Sequence, residues 1–498
     1  MPCMSDTRKA ASEHTLRAQQ AARETLPPDD RRDFADARRG LIAPLDPAPI
    51  IGRRPACLGS RALHCVSRRR RLVPRQRASG PLAPGATQRD RRLFEVAPGV
   101  HQIRGLDVSN MTLIEGGTGR IVVDPLISSE CAEGALALAA RHLGERPVTA
   151  LIYTHSHADH FGGSVAVLAR AAASFEVVAP EGFLENAISE NVFAGNAMRR
   201  RAAYMYGALL PADERGIVDA GLGKTTSSGS VGLVPPTRTI AEDGESVVLD
   251  GVTFEFHLAP DTEAPSAMMF FLPEHRVLNV ADTAVASMHN LYTPRGAAVR
   301  DALLWSRALD ETCHRFGSRA DVLIGGHNWP RFGTEAIVEY LDVQRDLYKF
   351  IHDQTLRLAN AGQTSREISE NLALPATFAR FWFARDYYGT LSHNAKAVYQ
   401  RYLGWFDGHP GTLHALPSAV SGPRYVDGRC RCHADEVACG IRCRRVPLRR
   451  RRADASRLRG AGECRRAAAS SGRFRAAWVS IGERAVAQLL SDRRARTS

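Results

Sequence analysis

Residues 154–163 read Thr-His-Ser-His-Ala-Asp-His-Phe-Gly-Gly, which sets three imidazoles and a carboxylate (His155, His157, Asp159 and His160) within six positions. The apolar run at 148–153 directly before them is expected to be a strand. Side chains alternate along a strand, so His155 and His157 at its end point to one side. The turn that follows swings Asp159 and His160 into a neighbouring position. Imidazole nitrogens and carboxylate oxygens suit zinc and related borderline metals. One tetrahedral ion does not need all four groups plus further ligands from elsewhere in the chain, whereas two adjacent ions do.

This string resembles the signature of the metallo-β-lactamase superfamily. Other segments narrow the resemblance to the zinc-dependent alkyl sulfatases. They include N-V-F-A-G-N-A-M-R-R-R-A-A-Y-M-Y-G-A-L-L-P (191–211), G-L-G-K-T-T-S-S-G-S-V-G-L-V-P-P-T (221–237) and A-P-D-T-E-A-P-S (259–266). H-N-L-Y-T-P-R-G-A (289–297), G-G-H-N-W-P (325–330), R-D-L-Y-K-F-I-H-D-Q-T-L-R-L (345–358) and Y-Y-G-T-L-S-H-N-A-K-A-V-Y-Q-R-Y-L-G-W-F-D-G (387–408) belong with them. The likeness covers about 91–417 and a short piece at 24–44.

The resemblance implies three remote ligands. His327 in G-G-H is similar to the family's late histidine. Glu263 in T-E-A-P stands where alkyl sulfatases place a carboxylate, and Asp282 in V-A-D-T where the bridging carboxylate belongs. Alkyl sulfatases generally carry Glu at that last position, and Asp is one methylene shorter. His155, His157 and Glu263 are assigned to one ion, Asp159, His160 and His327 to the other, and Asp282 between them. Two such ions about 3.5–4 Å apart hold a bridging hydroxide and clamp an anionic substrate. Zinc brings bound water to a pKa of roughly 7, so a nucleophile exists at neutral pH without a separate base. Arg295 is the candidate for gripping a sulfate ester, because a guanidinium matches a tetrahedral oxyanion bidentately. With Asp159 and Arg295, His289 completes the candidate catalytic set, and by resemblance His289 or the neighbouring Asn290 serves the leaving oxygen. Asn191, Asn196, Tyr204 and Tyr206 are candidate pocket-lining residues. Attack at sulfur and attack at carbon are both compatible with these residues.

These groups need a rigid frame. Alternation at 94–96 and 100–104, a hairpin through the Gly116–Gly119 turn, and apolar runs at 246–249, 252–257, 267–272, 276–280 and 322–325 all read as strands. A helix is expected over 132–142. Strands alternating with helices, with ligands at strand ends, agree with the αββα sandwich (an α+β fold) that the resemblance implies. From 334 the period turns helical, with Thr334 as the expected N-cap and Gly362 as terminator, and further helices starting near Thr364 and spanning roughly 393–405. In the resembled family this helical part mediates dimerisation, so a homodimer is expected. A lipid-carrier-like domain follows it there, and none is expected within the 498 residues of this sequence.

Length, 498 residues, allows two or three domains. The expected division is an N-terminal arm at 1–47, an irregular segment at 48–90, a catalytic domain at 91–333, a partial helical dimerisation domain at 334–426 and a last segment at 427–498. The net charge of +13 invites a nucleic-acid partner, but its distribution argues against one. Residues 418–498 hold 20 Arg against 7 acids and 48–90 hold 10 Arg against one acid, while 91–417 carry 28 basic and 37 acidic residues. The enzyme-like body is therefore acidic. Cys430, Cys432, His433, Cys439 and Cys443 fit a zinc knuckle on paper, but both basic segments lack periodicity and carry four arginines in a row. The favoured account is translation in a shifted frame: codons permitted for 485–495, read one base over, allow P-W-R-N-F-Y-L-T-G-A, a string the family carries at that point, and 81–88 behaves likewise. Only Cys131 and Cys313 lie in the body, so no disulfide framework is expected. No run of 18 apolar residues exists and no secretion signal is visible, so membrane insertion is not expected and the cytoplasm is the default compartment.

The first reading is a binuclear zinc hydrolase acting on a small amphiphilic sulfate ester such as dodecyl sulfate. The alternatives are a hydrolase of the same fold acting on another ester, lactone or phosphoester, and an inactive remnant of an alkyl sulfatase.

Overall fold

The computed structural model describes residues 12–24, 32–44, 92–210, 217, 219–408 and 410–421. The segments at 48–90 and beyond 427, and the readings made of them, lie outside the described residues. The chain divides into two compact units, 1–405 and 406–498. Among its described residues the second unit contributes a short 3-10 turn, Pro410–Thr412. Both sheets belong to the first.

One sheet follows sequence order: β1 (Leu41–Pro44), β2 (Arg92–Ala97), β3 (Val100–Arg104), β4 (Met111–Glu115), β5 (Arg120–Val123), β6 (Val148–Ile152), β7 (Ala171–Pro180) and β8 (Arg238–Ile240). Its first five strands are an antiparallel meander, and β5 to β8 pair in parallel. The other sheet contains β9 (Ser246–Leu249), β10 (Val252–Leu258), β11 (Met268–Leu272), β12 (Val277–Asn279), β13 (Val322–Ile324) and β14 (Arg331–Phe332), ordered β14-β13-β12-β11-β10-β9.

Strand β11 shows how the layers form. All five of its residues are buried, so both faces must be covered. Met268, Phe270 and Leu272 turn inward and pack with Ile114, Ile121, Ile152, Val178 and Phe254 between the sheets. Met269 and Phe271 turn outward, onto Trp305 and Leu309 of the Ala302–Thr312 helix and Ile337 and Tyr348 of the Thr334–Asn360 helix. Beyond the first sheet, Leu113, Val122 and Leu151 meet Ala132, Leu136 and Ala139 of the Ser129–Leu143 helix. The result is the helix–sheet–sheet–helix sandwich expected. Each fully buried Phe, Leu or Met contributes roughly 1.5–3 kcal/mol, and that burial keeps the sheet edges fixed.

One helix start differs from expectation. Gly333, at φ 94°, occupies the N-cap before Thr334, and the Thr334 hydroxyl donates instead to the Ala320 carbonyl, 2.9 Å away. Thr334 is therefore the first residue of the helix and not its cap. Thr364 caps the next helix, Ser365–Asn371, in a reciprocal capping box with Glu367, and Thr390 caps Leu391–Leu403.

Strand direction places the site. β10 and β12 are both antiparallel to β11, and β13 is parallel to β12, so β10, β12 and β13 run the same way. Their C-terminal ends share one edge of the second sheet. A bridge between His155 and Ala267 joins that edge to the segment leaving β6.

Candidate metal centre

Each ligand segment leaves the C-terminal end of a strand: His155 to His160 after β6, Glu263 after β10, Asp282 after β12 and His327 after β13. The backbone there is bent into conformations that L-residues seldom adopt. Asp261 (φ 59°), Ala281 (φ 48°) and Asn328 (φ 60°) lie beside ligands, and Asp124 (φ 53°) follows β5. Such residues cost of order 1–3 kcal/mol each and persist only where the surroundings over-determine them. Here hydrogen bonds do so: Gly326 N–H donates to Ala281 O at 2.8 Å, and the Asn328 side chain accepts from Ala286 N–H at 3.0 Å while donating to Leu222 O at 3.2 Å.

Three groups of ligand atoms come together: His155, His157 and Glu263; Asp159, His160 and His327; and His155, His160 and Asp282. Within each group the atoms lie within 4.8 Å of one another. These groupings have the same membership as the ligand sets expected from the sequence, and Asp282 lies against a histidine from each. Two ligand atoms on one tetrahedral zinc at 2.0–2.1 Å stand about 3.3 Å apart. His160 Nε2 and His327 Nε2 lie 3.4 and 3.6 Å from Asp159 Oδ2. Asp282 Oδ2 lies 2.8, 3.3 and 3.7 Å from the Nε2 atoms of His327, His160 and His155. His157 Nδ1 is 2.9 Å from Glu263 Oε1, a hydrogen-bond separation that a metal would open slightly.

The unpaired atoms also fit a metal. His155 Nε2, His160 Nε2, Glu263 Oε2 and Asp282 Oδ1 are buried and lack hydrogen-bond partners. Leaving a buried polar atom unpaired costs about 1–3 kcal/mol, so four converging ones call for a cation. The remaining ring nitrogens are already held. His160 Nδ1 faces Asp124 Oδ2 at 2.9 Å, and His327 Nδ1 faces the Val108 carbonyl at 2.8 Å. His155 Nδ1 faces the Thr154 hydroxyl at 3.0 Å, and that hydroxyl in turn donates to Asp124 at 2.7 Å. Partners of this kind fix the ring and tautomer of metal-binding histidines. Asp124 therefore steadies His160 directly and His155 through Thr154.

Electrostatics divides the histidines. Burial pushes His155 down to about 3 and His157 well below the usual imidazole value, so both are neutral lone-pair donors. Burial opposes charge on His160 and His327 too, but Asp282 and Asp159 hold both above the usual value. Asp282 itself, despite burial, is kept well below the carboxylate range by His327, His160 and His155. Burial raises Glu263 well above its ordinary value, with Arg300 working against the shift.

The other expected residues spread outward from this cluster. His289 Nδ1 is 3.2 Å from Glu263 Oε2, and its Nε2 is buried and unpartnered. Asn290 is buried beside it, its Nδ2 likewise without a partner. Arg295 Nη1 reaches Glu190 Oε2 at 3.3 Å and the Gly296 carbonyl at 3.0 Å. Glu190 Oε2 is also 3.7 Å from His157 Nε2, which places Arg295 beside the His157 end of the cluster. The Tyr206 hydroxyl lies 3.5 Å from that of Tyr388. Asn191, Asn196 and Tyr204 are exposed, and the Asn191 amide donates to Ala187 O one turn back. The structure gathers the expected ligand residues with His289, Asn290 and Arg295, and leaves Asn191, Asn196 and Tyr204 on the surface. Sequence reading missed Asp124, Glu190 and Arg300, whose roles come from long-range contacts; only the strand-ending Val-Val-Asp-Pro pattern at 122–125 offered a local signal.

The metallo-beta-lactamase superfamily matches residues 104–327, and the alkyl sulfatase dimerisation family matches 364–435. The alkyl/aryl-sulfatase BDS1 of Saccharomyces cerevisiae is 44% identical over 84% of this chain and 65% of its own length. A linear primary-alkylsulfatase of Pseudomonas sp is also 44% identical, over 85% of this chain and 63% of its own length. The chain thus spans somewhat under two thirds of the curated relatives it matches. Among solved structures, the stereoselective inverting sec-alkylsulfatase Pisa1 from Pseudomonas sp. superimposes with a TM-score of 0.81 at 41% identity, over 84% of this chain and 67% of that one. By sandwich, ligand pattern and these likenesses together, this chain belongs to the metallo-β-lactamase superfamily and, within it, to the alkyl sulfatase family.

Proposed function

We propose that this chain is a binuclear zinc hydrolase that cleaves linear alkyl sulfate esters of the dodecyl sulfate class to the alcohol and inorganic sulfate, and that it works as a homodimer. The observation that supports the reading is the convergence of buried ligand atoms, several of them unpartnered, into groups that meet at Asp282. His155, His157 and Glu263 would hold one ion and Asp159, His160 and His327 the other. When bound, a zinc pair supplies acidified water as nucleophile and positive charge for the ester. The chain's own residues do the rest. Asp124, Thr154 and the Val108 carbonyl keep the imidazoles aimed inward. Arg295 binds sulfate oxygens, exchanging its contact with Glu190 for the substrate. Asn290 offers its free amide N–H groups, and His289, buried against Trp305 and Tyr388, stands where a leaving oxygen needs a proton partner. The relatives' names, an alkyl/aryl-sulfatase and a linear primary-alkylsulfatase, support the substrate class.

The test is elemental analysis together with sulfate release from dodecyl sulfate. About two zinc per chain and turnover abolished by chelation are expected. A metal-free protein that turns over, or a zinc-loaded one that ignores dodecyl sulfate yet hydrolyses nitrophenyl phosphate or a lactone, refutes the proposal.

A further inference from the structure

Arg300 belongs to none of the ligand groups, yet it is buried to 5% exposure beside one of them. Its position is rigid. Its N–H donates to Leu291 O at 3.0 Å, and the next residue, Asp301, donates from its N–H to Asp261 O at 2.9 Å. Asp301 also caps the Ala302–Thr312 helix through Leu303 and Leu304 N–H. The root of Arg300 is thereby tied to the loop that carries Glu263.

The guanidinium reaches two functional groups at once. Nη2 donates to Glu263 Oε1 at 2.9 Å. Nη1 donates to Asn290 Oδ1 at 2.6 Å and to the Asn290 carbonyl, and lies 3.0 Å from His289 Nδ1. Nε is buried with no partner, so the arginine leaves a donor unpaired to keep this geometry. Only a planar fork spans two acceptors that diverge in this way, and a lysine ammonium is a point charge. The contact to Asn290 Oδ1 has a consequence for its amide. With the oxygen held, the NH2 end must face away, and Nδ2 is the atom left buried and unpartnered.

We infer that Arg300 is a positioning residue that aims two groups together: it holds the Glu263 carboxylate toward its metal site and fixes the Asn290 amide with its donor end toward the substrate. The inference rests on the zinc sulfatase reading above. It adds a coupling between metal retention and sulfate binding that runs through one side chain.

The experiment uses the full chain with zinc and dodecyl sulfate. Wild type must first bind about two zinc; if it does not, the function proposal has failed and Arg300 is not in question. Arg300→Lys is expected to fold, by circular dichroism and melting, to bind one of the two ions about 10- to 100-fold more weakly, and to raise KM for dodecyl sulfate. Arg300→Ala should regain zinc affinity when methylguanidinium is added, and Arg300→Lys should not. Two zinc at wild-type affinity with unchanged KM in both variants overturns the inference. Lost affinity that methylguanidinium leaves untouched in Arg300→Ala also overturns it, because that marks a packing role. Where neither variant folds, a crystal structure of the zinc-loaded wild type decides. Nη2 on Glu263 with Nη1 on Asn290 Oδ1 upholds the inference, and the loss of either contact overturns it.

Discussion

Gly326 is the position where one methyl group should disable the metal centre. A Cβ built there would stand 2.3 Å from Asp282 Oδ1 and 2.6 Å from His160 Cε1, against ordinary contacts of 3.4–4 Å. Gly326→Ala must therefore displace the carboxylate by about 1 Å or the imidazole by nearly as much. Neither can yield freely. Asp282 Oδ2 is held by His327 at 2.8 Å, His160 Nδ1 is held by Asp124 at 2.9 Å, and both side chains are buried. Overpacking of this kind costs about 1–3 kcal/mol of stability, so the chain should still fold. The site is less tolerant, since ligand distances must stay within about 0.2 Å of their proper values. A 1 Å misplacement near the chemistry costs on the order of 100-fold in rate. Expected results are a melting temperature lowered by a few degrees, zinc content below two per chain and dodecyl sulfate turnover reduced at least to that extent. A folded Gly326→Ala protein with two zinc and wild-type turnover would show that Asp282 and His160 are not metal ligands.

Asp124→Asn keeps the shape but removes the charge behind His160 and Thr154; zinc affinity should fall about 10- to 100-fold, read by competition with a chromophoric chelator. Asp282→Asn leaves three buried imidazoles facing a neutral amide, a loss of about 3–5 kcal/mol that should strip at least one ion, as elemental analysis would record. Arg295→Ala should raise KM for dodecyl sulfate by about 10- to 100-fold, the worth of a charge-assisted hydrogen bond, with zinc content unchanged. The metal-free chain has its own pH signature. His160 and His327, raised above the ordinary imidazole value of 6.5 chiefly by Asp282 once burial is overcome, contribute stability that is present below 6.5 and lost as pH rises through their folded values. His155, lowered by burial to about 3, draws stability away as pH falls from 6.5 toward 3. Metal-free protein should thus be most stable near pH 6.5, and zinc binding at pH 7 should release the protons of His160 and His327. Calorimetry in buffers of differing ionisation heat measures that release, and a value of zero counts against the assignment.

Legibility in the sequence followed the distance over which each feature is encoded. His155, His157, Asp159 and His160 were readable because a strand end and one turn of chain suffice to cluster them. The sandwich was readable because an unbroken apolar run such as Met268–Leu272 states that both faces of its strand are buried. Arg300 and Glu190 were not readable, because the contacts that link them to the site reach far along the chain: Arg300 to Glu263, 37 residues away, and Glu190 to Arg295, 105 residues away. The Asn191 and Asn196 assignments came from a family string and carried no geometry, and the exposed helical surface on which both lie has no local marker.

Asp282 shows how backbone and side chain share one task. In the proposed two-ion site, a carboxylate shorter than the glutamate expected at this position must still reach both ions. Ala281 at φ 48° turns the chain immediately before it, and Gly326, which has no side chain, lets the carboxylate lie against His160. Its Oδ2 then stands within 2.8–3.7 Å of three imidazole nitrogens contributed by two separate ligand segments. Asp282, Ala281 and Gly326 therefore form one unit, and a change at any of the three should register first in metal content and only secondarily in fold stability.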